Sequence, residues 1–243
     1  MTKILQWNTY HTRDLEEKYH YKFLSEQWLA EFLQTGNIWF SRADQFGDKM
    51  ECVRISDLIN QNPDYEAIEK RKRKFLISCW HLADNESIAF WDTYSEYPEN
   101  RRNYAIRFKR TQLQQIFNQT IFRNNNQYYL TKWIHGKVIY KNLVNLDSNT
   151  LNQVQIKYPA FRKELSFKYE NEYRFVIELV QETNELGINY NLGSPDKLQF
   201  DILVNPLLTK NKFLNATNTV KKLGFENKLK DSSLTRWLRP DKW

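Results

Sequence analysis

"FKYENEYRFVIEL" runs from Phe167 to Leu179, and its alternation of bulky and polar residues has the period of a β-strand. On an extended chain Glu170, Glu172 and Arg174 point to one face, and Tyr169, Tyr173, Phe175 and Ile177 to the other. The aromatic face belongs in a core. The simplest reading of the charged face is that it meets water. Two carboxylates about 7 Å apart beside a cation also have the makings of a general acid/base pair, or of a clamp on developing positive charge.

Working outward, "YKFLSEQWLAEFLQTGNIWFS" (Tyr21 to Ser41) repeats Leu24, Trp28, Leu29, Phe32 and Leu33 at helical spacing, with Ser25 placed as N-cap and Gly36 as the stop. A short strand, Ile38 to Ser41, follows. "RADQFGDKMECVR" (Arg42 to Arg54) reads as a loop, the charged stretch after Pro63 as a helix, and "KFLISCWHL" (Lys74 to Leu82) as a buried strand. "NESIAFWDTYSE" has helical spacing, "NYAIRFKR" is a strand, and Thr111 caps the helix "TQLQQIFNQ". His135-Gly136 suits a tight hairpin between two strand-like runs. A polar helix is expected over Ser148 to Lys157 and a surface loop over "ETNELGINYNLGSPD" (Glu182 to Asp196). A last strand in "LQFDILVNP" and a helix ending near Gly224 complete the chain. Helices and strands mix without regular βα alternation. The expected fold is therefore α+β, with a mixed, largely antiparallel sheet and flanking helices.

Composition sets the outer limits. The 243 residues are 15% aromatic with only six glycines and six prolines, which is no disordered or linker composition despite a mean hydropathy of −0.75. A single domain over residues 1–243 is expected, its core at about 20–235 and a basic tail at 236–243. No apolar run nears the roughly 18 residues of a membrane span, and "MTKILQWNTYHTRD" lacks the features of a secretory signal. A cytoplasmic protein with no membrane partner is the expectation. Cys52 and Cys79 read as small buried residues rather than a disulfide or thiolate metal site.

The 36 basic residues exceed the 29 acidic ones, for a net charge of +7, and cluster in "EKRKRKF" (Glu69 to Phe75) and "RRNYAIRFKR" (Arg101 to Arg110). Such segments permit nucleic-acid binding, although a basic run is more often a solvated face. His11, His20, His81 and His135 are scattered without paired spacing, and there is no phosphate-binding loop, nucleophile elbow or Cys-x-x-Cys. No metal is expected at imidazole or thiolate ligands. Carboxylates remain, joined by Asp48 and Glu51 in the loop after the strand ending at Ser41, and by Ser78, Trp91 and Tyr94 near another strand end.

The order of "YKF", "WLAEFLQTGNIWFSRADQFGDKME", "FLISCWH", "IAFWDTYSE", "YAIRF", "VIYKN", "YENEYRFVIEL" and "DILVNP" resembles an uncharacterised bacterial family, domain of unknown function 2971. The likeness runs from about Tyr21 to Leu234. Two places depart from the family's pattern: "FGDKMEC" stands where Asn-Asp-Pro is more usual, and "SCWH" where Cys-Phe-Ser is. More distantly, the layout is similar to ADP-ribosyltransferase-like folds of the kind found in bacterial toxins and phage-defence proteins, which is an analogy of fold.

That second resemblance implies an enzyme that uses NAD to modify a nucleic acid or a protein. Glu172 would bind the ribose hydroxyl and stabilise the oxocarbenium-like state as nicotinamide leaves. Glu170 would position or deprotonate the acceptor, and Arg174 would pair with phosphate or with Glu172. On the dinucleotide side it implies Lys22 on the first strand, Ser41, and Trp91 or Tyr94 stacked on a flat ring. Two alternatives stand beside it: a non-catalytic nucleic-acid- or partner-binding module, and a metal-dependent nuclease using Asp48, Glu51, Glu170 and Glu172 around magnesium.

Overall fold

The structure is a computed structural model, and it describes residues 6–10, 17–59, 63–93, 102–124, 130–143 and 158–238. Tyr94, Arg101, the expected helix over Ser148 to Lys157 and the last five residues lie outside the described residues. Eleven strands follow one another among the described residues: β1 (Gln6–Tyr10), β2 (Tyr19–Leu24), β3 (Asn37–Arg42), β4 (Phe75–Ala83), β5 (Tyr104–Lys109), β6 (Leu130–Lys137), β7 (Ile139–Lys141), β8 (Arg162–Glu164), β9 (Glu172–Leu179), β10 (Gly187–Asn191) and β11 (Asp201–Val204). The α+β class holds, with a sheet that is largely antiparallel. No helix among the described residues is long and apolar enough to cross a membrane.

The chain divides into two compact units. The first comprises Met1–Leu15, Trp39–Trp80 and Ile121–Tyr190; the second comprises Glu16–Ile38, His81–Thr120 and Asn191–Trp243.

In the first unit β6 is flanked by β1 in parallel and by β9 in antiparallel register, with Gly136 opposite Arg174 and His135 opposite Phe175. β4 lies on the other side of β9, and β3 pairs with both β4 and β10. A separate parallel ribbon joins β7 to β8. Ile77, Ile134, Phe161 and Val176 build one apolar cluster with Cys52, and half-buried Cys79 packs against it. Both thiols are free.

In the second unit β2 pairs antiparallel with β5, and β5 with β11. Phe23 meets Trp91 edge to face at 4.7 Å and stacks on Phe90 at 5.3 Å. The helix Glu26–Thr35 forms as its sequence dictates: Ser25 Oγ accepts from the Trp28 N–H, and Gly36 closes the helix at φ 73°. A Cβ on Gly36 would stand 1.9 Å from the Gly193 carbonyl oxygen, so glycine is required there twice over.

Four sequence expectations need correction. Glu170 is not on the strand. It ends a 3-10 helix (Leu165–Glu170), Asn171 turns left-handed at φ 39°, and β9 starts at Glu172. His135-Gly136 is no hairpin, because β6 runs through both residues and pairs with β1 and β9 rather than with β7. The stretch read as a surface loop contains β10, whose pairing with β3 is a tertiary fact that local composition does not carry. Thr111 is no cap, since the helix Arg110–Asn124 begins one residue earlier, directly after β5.

Candidate functional site

The charged face of β9 does not meet water. Glu172 is 8% exposed and Arg174 1%, and every residue of the strand but Glu178 is buried. Burying an ion is costly unless it is paired and hydrogen-bonded, so its partners decide what this face is.

All of Arg174's hydrogen-bonding edges are occupied. Nε donates to Glu172 Oε2 at 2.7 Å, Nη1 to the Ala160 carbonyl at 2.8 Å, and Nη2 to Glu51 Oε2 at 2.6 Å and to Glu172 Oε2. Phe46 lies under the guanidinium, 5.6 Å from it. Lys163, from β8, is the second cation: its Nζ meets Glu51 Oε1 at 2.9 Å and Glu170 Oε2 at 2.5 Å, and stands 4.0 Å from Glu172 Oε1. Phe167 packs on the same ammonium at 4.5 Å. Three carboxylates and two cations thus interlock within the first unit.

The carboxylates are not equivalent. Burial pushes the Glu51 carboxyl up, but Arg174 and Lys163 outweigh it and hold the group below its ordinary value. Glu170 goes the other way: burial and the neighbouring Glu172 charge push it up to about 7 against the pull of Lys163. Both cations are held above their ordinary values: burial works against charge in each, and Glu172 and Glu51 overcome it. Glu172 is set apart by geometry. Its Oε2 is taken by Arg174, its N–H donates to Tyr140 Oη at 2.8 Å, and Oε1 has Lys163 at 4.0 Å.

Glu170, Glu172 and Arg174 are therefore brought together, with Arg174 bound to Glu172. Ser41, on β3, is half-buried in the same unit. Lys22 and Trp91 belong to the second unit. Lys22 is half-buried on β2. Trp91 is fully buried, with its indole N–H donated to Glu86 Oε2 at 3.1 Å. Asp48 spends Oδ1 on the Met50 N–H at 2.8 Å, and both Glu51 oxygens already hold cations. Among the described residues no group of three or more histidine, cysteine, aspartate or glutamate side chains is placed to hold a metal ion.

Sequence reasoning missed Lys163. In "FRKELSF" (Phe161–Phe167) its charge looks like one more surface lysine, and only the fold-back of the 3-10 helix sets it against Glu170. Parts of the two basic runs are engaged as well: Arg71 pairs with Asp57 at 2.6 Å, Lys72 with Glu69 at 3.0 Å, and Arg107 with Asp201 at 2.6 Å.

Residues 90–175 match the model of a family described as a protein of unknown function, DUF2971. The matched segment bears out the resemblance to that family and contains Lys163, Glu170, Glu172 and Arg174. No curated protein and no solved structure matches the chain.

Proposed function

We propose that the chain is an ADP-ribosyltransferase-like enzyme that cleaves the bond between nicotinamide and ribose in NAD and passes the ADP-ribosyl group to a nucleic acid or protein. The observation that carries this reading is the asymmetry at Glu172. Arg174 clamps Oε2, which fixes the carboxylate in place, while Oε1 stands 4.0 Å from the Lys163 ammonium. A fixed, desolvated carboxylate is the group that stabilises an oxocarbenium-like sugar without reorganising as charge develops.

The C–N bond breaks with its electron pair leaving on nicotinamide, and the acceptor's nucleophilic atom forms the new bond to the anomeric carbon. The acceptor loses a proton in that step. Glu170, pushed up to about 7 and sharing Lys163 with the rest of the cluster, is matched to receive it near neutral pH.

The test is nicotinamide release from NAD. Glu172→Gln keeps the shape of the side chain and is expected to lower the rate about 10²–10³-fold, the usual loss when one electrostatic stabiliser is removed, with thermal stability measured alongside. Release that survives the substitution unchanged would sink this reading.

A second reading has its own support in the near-complete burial of Arg174 and the internal pairing of both cations: a non-catalytic binding module in which the cluster only braces the first unit. On that reading Glu172→Gln alters stability, and the wild-type protein leaves NAD intact.

A further inference from the structure

Three carboxylates crowd around two cations in the first unit, and the backbone beside them is unusual. Among the described residues only Cys52 and Asn171 have positive φ without being glycine, at 59° and 39°. Each adjoins the cluster in sequence: Cys52 follows Glu51, and Asn171 separates Glu170 from Glu172. The left-handed region is disfavoured for most residues with a Cβ, asparagine being among the few that tolerate it, and such conformations gather where a particular placement of side chains is being enforced.

At Asn171 the consequence is visible. Its N–H donates to the Lys168 carbonyl at 3.2 Å and closes the 3-10 helix, and the next residue opens β9. Glu170 therefore leaves the strand and reaches Lys163, seven positions earlier in the chain, at 2.5 Å, while Glu172 stays on the strand with Arg174. Both carboxylates come within 4.0 Å of one ammonium.

We infer that Asn171 is a positioning residue, whose left-handed backbone turns Glu170 off the strand so that it and Glu172 bear on the same Lys163 ammonium from different elements. The inference rests on the proposed role of these two carboxylates for its meaning in catalysis, but not for its geometry. Glycine at this position adopts the left-handed region freely, whereas a β-branched residue is strongly disfavoured there. The groups that face Glu170 include Lys163, Glu172, Glu51 and Tyr140.

The experiment follows the side-chain carboxyl signals of ¹³C-glutamate-labelled protein through a pH titration, with Glu170→Gln identifying the Glu170 signal. Asn171→Gly is expected to keep its titration near neutrality, and Asn171→Val to change its proton affinity by about tenfold or more. A Val variant that titrates like wild type overturns the inference, and so does a Gly variant that shifts as far as the Val one. Asn171→Ala serves in place of Val should that variant not fold. Nicotinamide release gives a second readout: kcat is expected to fall in the Val variant and not in the Gly variant, with KM for NAD unchanged. A wild-type protein that releases no nicotinamide removes the glycosidic reading, and the titration alone then decides the role of Asn171.

Discussion

Arg174 Nε donates to Glu172 Oε2 at 2.7 Å between residues two apart on one face of β9, and the arginine is 1% exposed. A pair of this kind on an open strand face would be worth little, because water competes for both ions. Here Glu51 lies on the far side of the guanidinium, so removing the cation takes a partner from two buried carboxylates at once and leaves Lys163 to serve both. Arg174→Met is expected to cost about 3–5 kcal/mol, read from denaturant midpoints. A loss below about 1 kcal/mol, the surface-pair range, would show that the cluster is more hydrated than its burial implies.

Glu51 gives the cluster a signature in acid. Its folded-state value lies below the ordinary one, so the folded chain binds its proton less readily than the unfolded chain. The stabilisation is complete above the unfolded-state value and is lost as pH falls through the folded one. Glu51→Gln is expected to lower stability near neutral pH and to flatten the acid limb of the stability curve. Wild-type and variant curves that run parallel into acid would contradict the assignment.

How much of this was legible beforehand differs between units and between levels. The helix from Glu26 to Thr35 was readable to its caps, because Ser25 and Gly36 act through bonds a few residues long. The strand beginning at Glu172 was readable from its alternation, but not the fate of its charged face. Burial of that face depends on Glu51 and Lys163, 121 and nine positions earlier. No local pattern encodes such a meeting. The break at Asn171 was illegible for a different reason, since asparagine tolerates the left-handed region without announcing it.

Gly36 supplies a prediction for the second unit. Its φ of 73° alone makes alanine unfavourable by about 1–2 kcal/mol, and the added methyl would meet the Gly193 carbonyl oxygen at 1.9 Å. That oxygen belongs to backbone, which cannot swing aside like a long side chain. Gly36→Ala is thus expected to exceed the cost of the left-handed conformation alone, seen as a drop in Tm well beyond that of a surface Gly→Ala change.

His135 makes the last prediction, and its sign is opposite to that of a histidine stabilised by a carboxylate. Its ring is 2% exposed within β6, Nδ1 lies 2.5 Å from Tyr173 Oη, and the ring stacks on Phe175 at 5.7 Å. Burial lowers its value from 6.5 to about 4. Between these values the unfolded chain takes up a proton that the folded chain refuses, so stability falls as pH drops from about 6.5 towards about 4 and is level above that window. The loss across the window is on the order of 3 kcal/mol. His135→Gln removes this proton uptake and is expected to leave a shallower decline between about pH 7 and about pH 5, measured by urea midpoints, even though it weakens the fold at neutral pH by disturbing the contact with Tyr173. An unchanged slope would mean that His135 takes up its proton as readily in the folded chain as in the unfolded one, with the Tyr173 hydroxyl accepting from the ring.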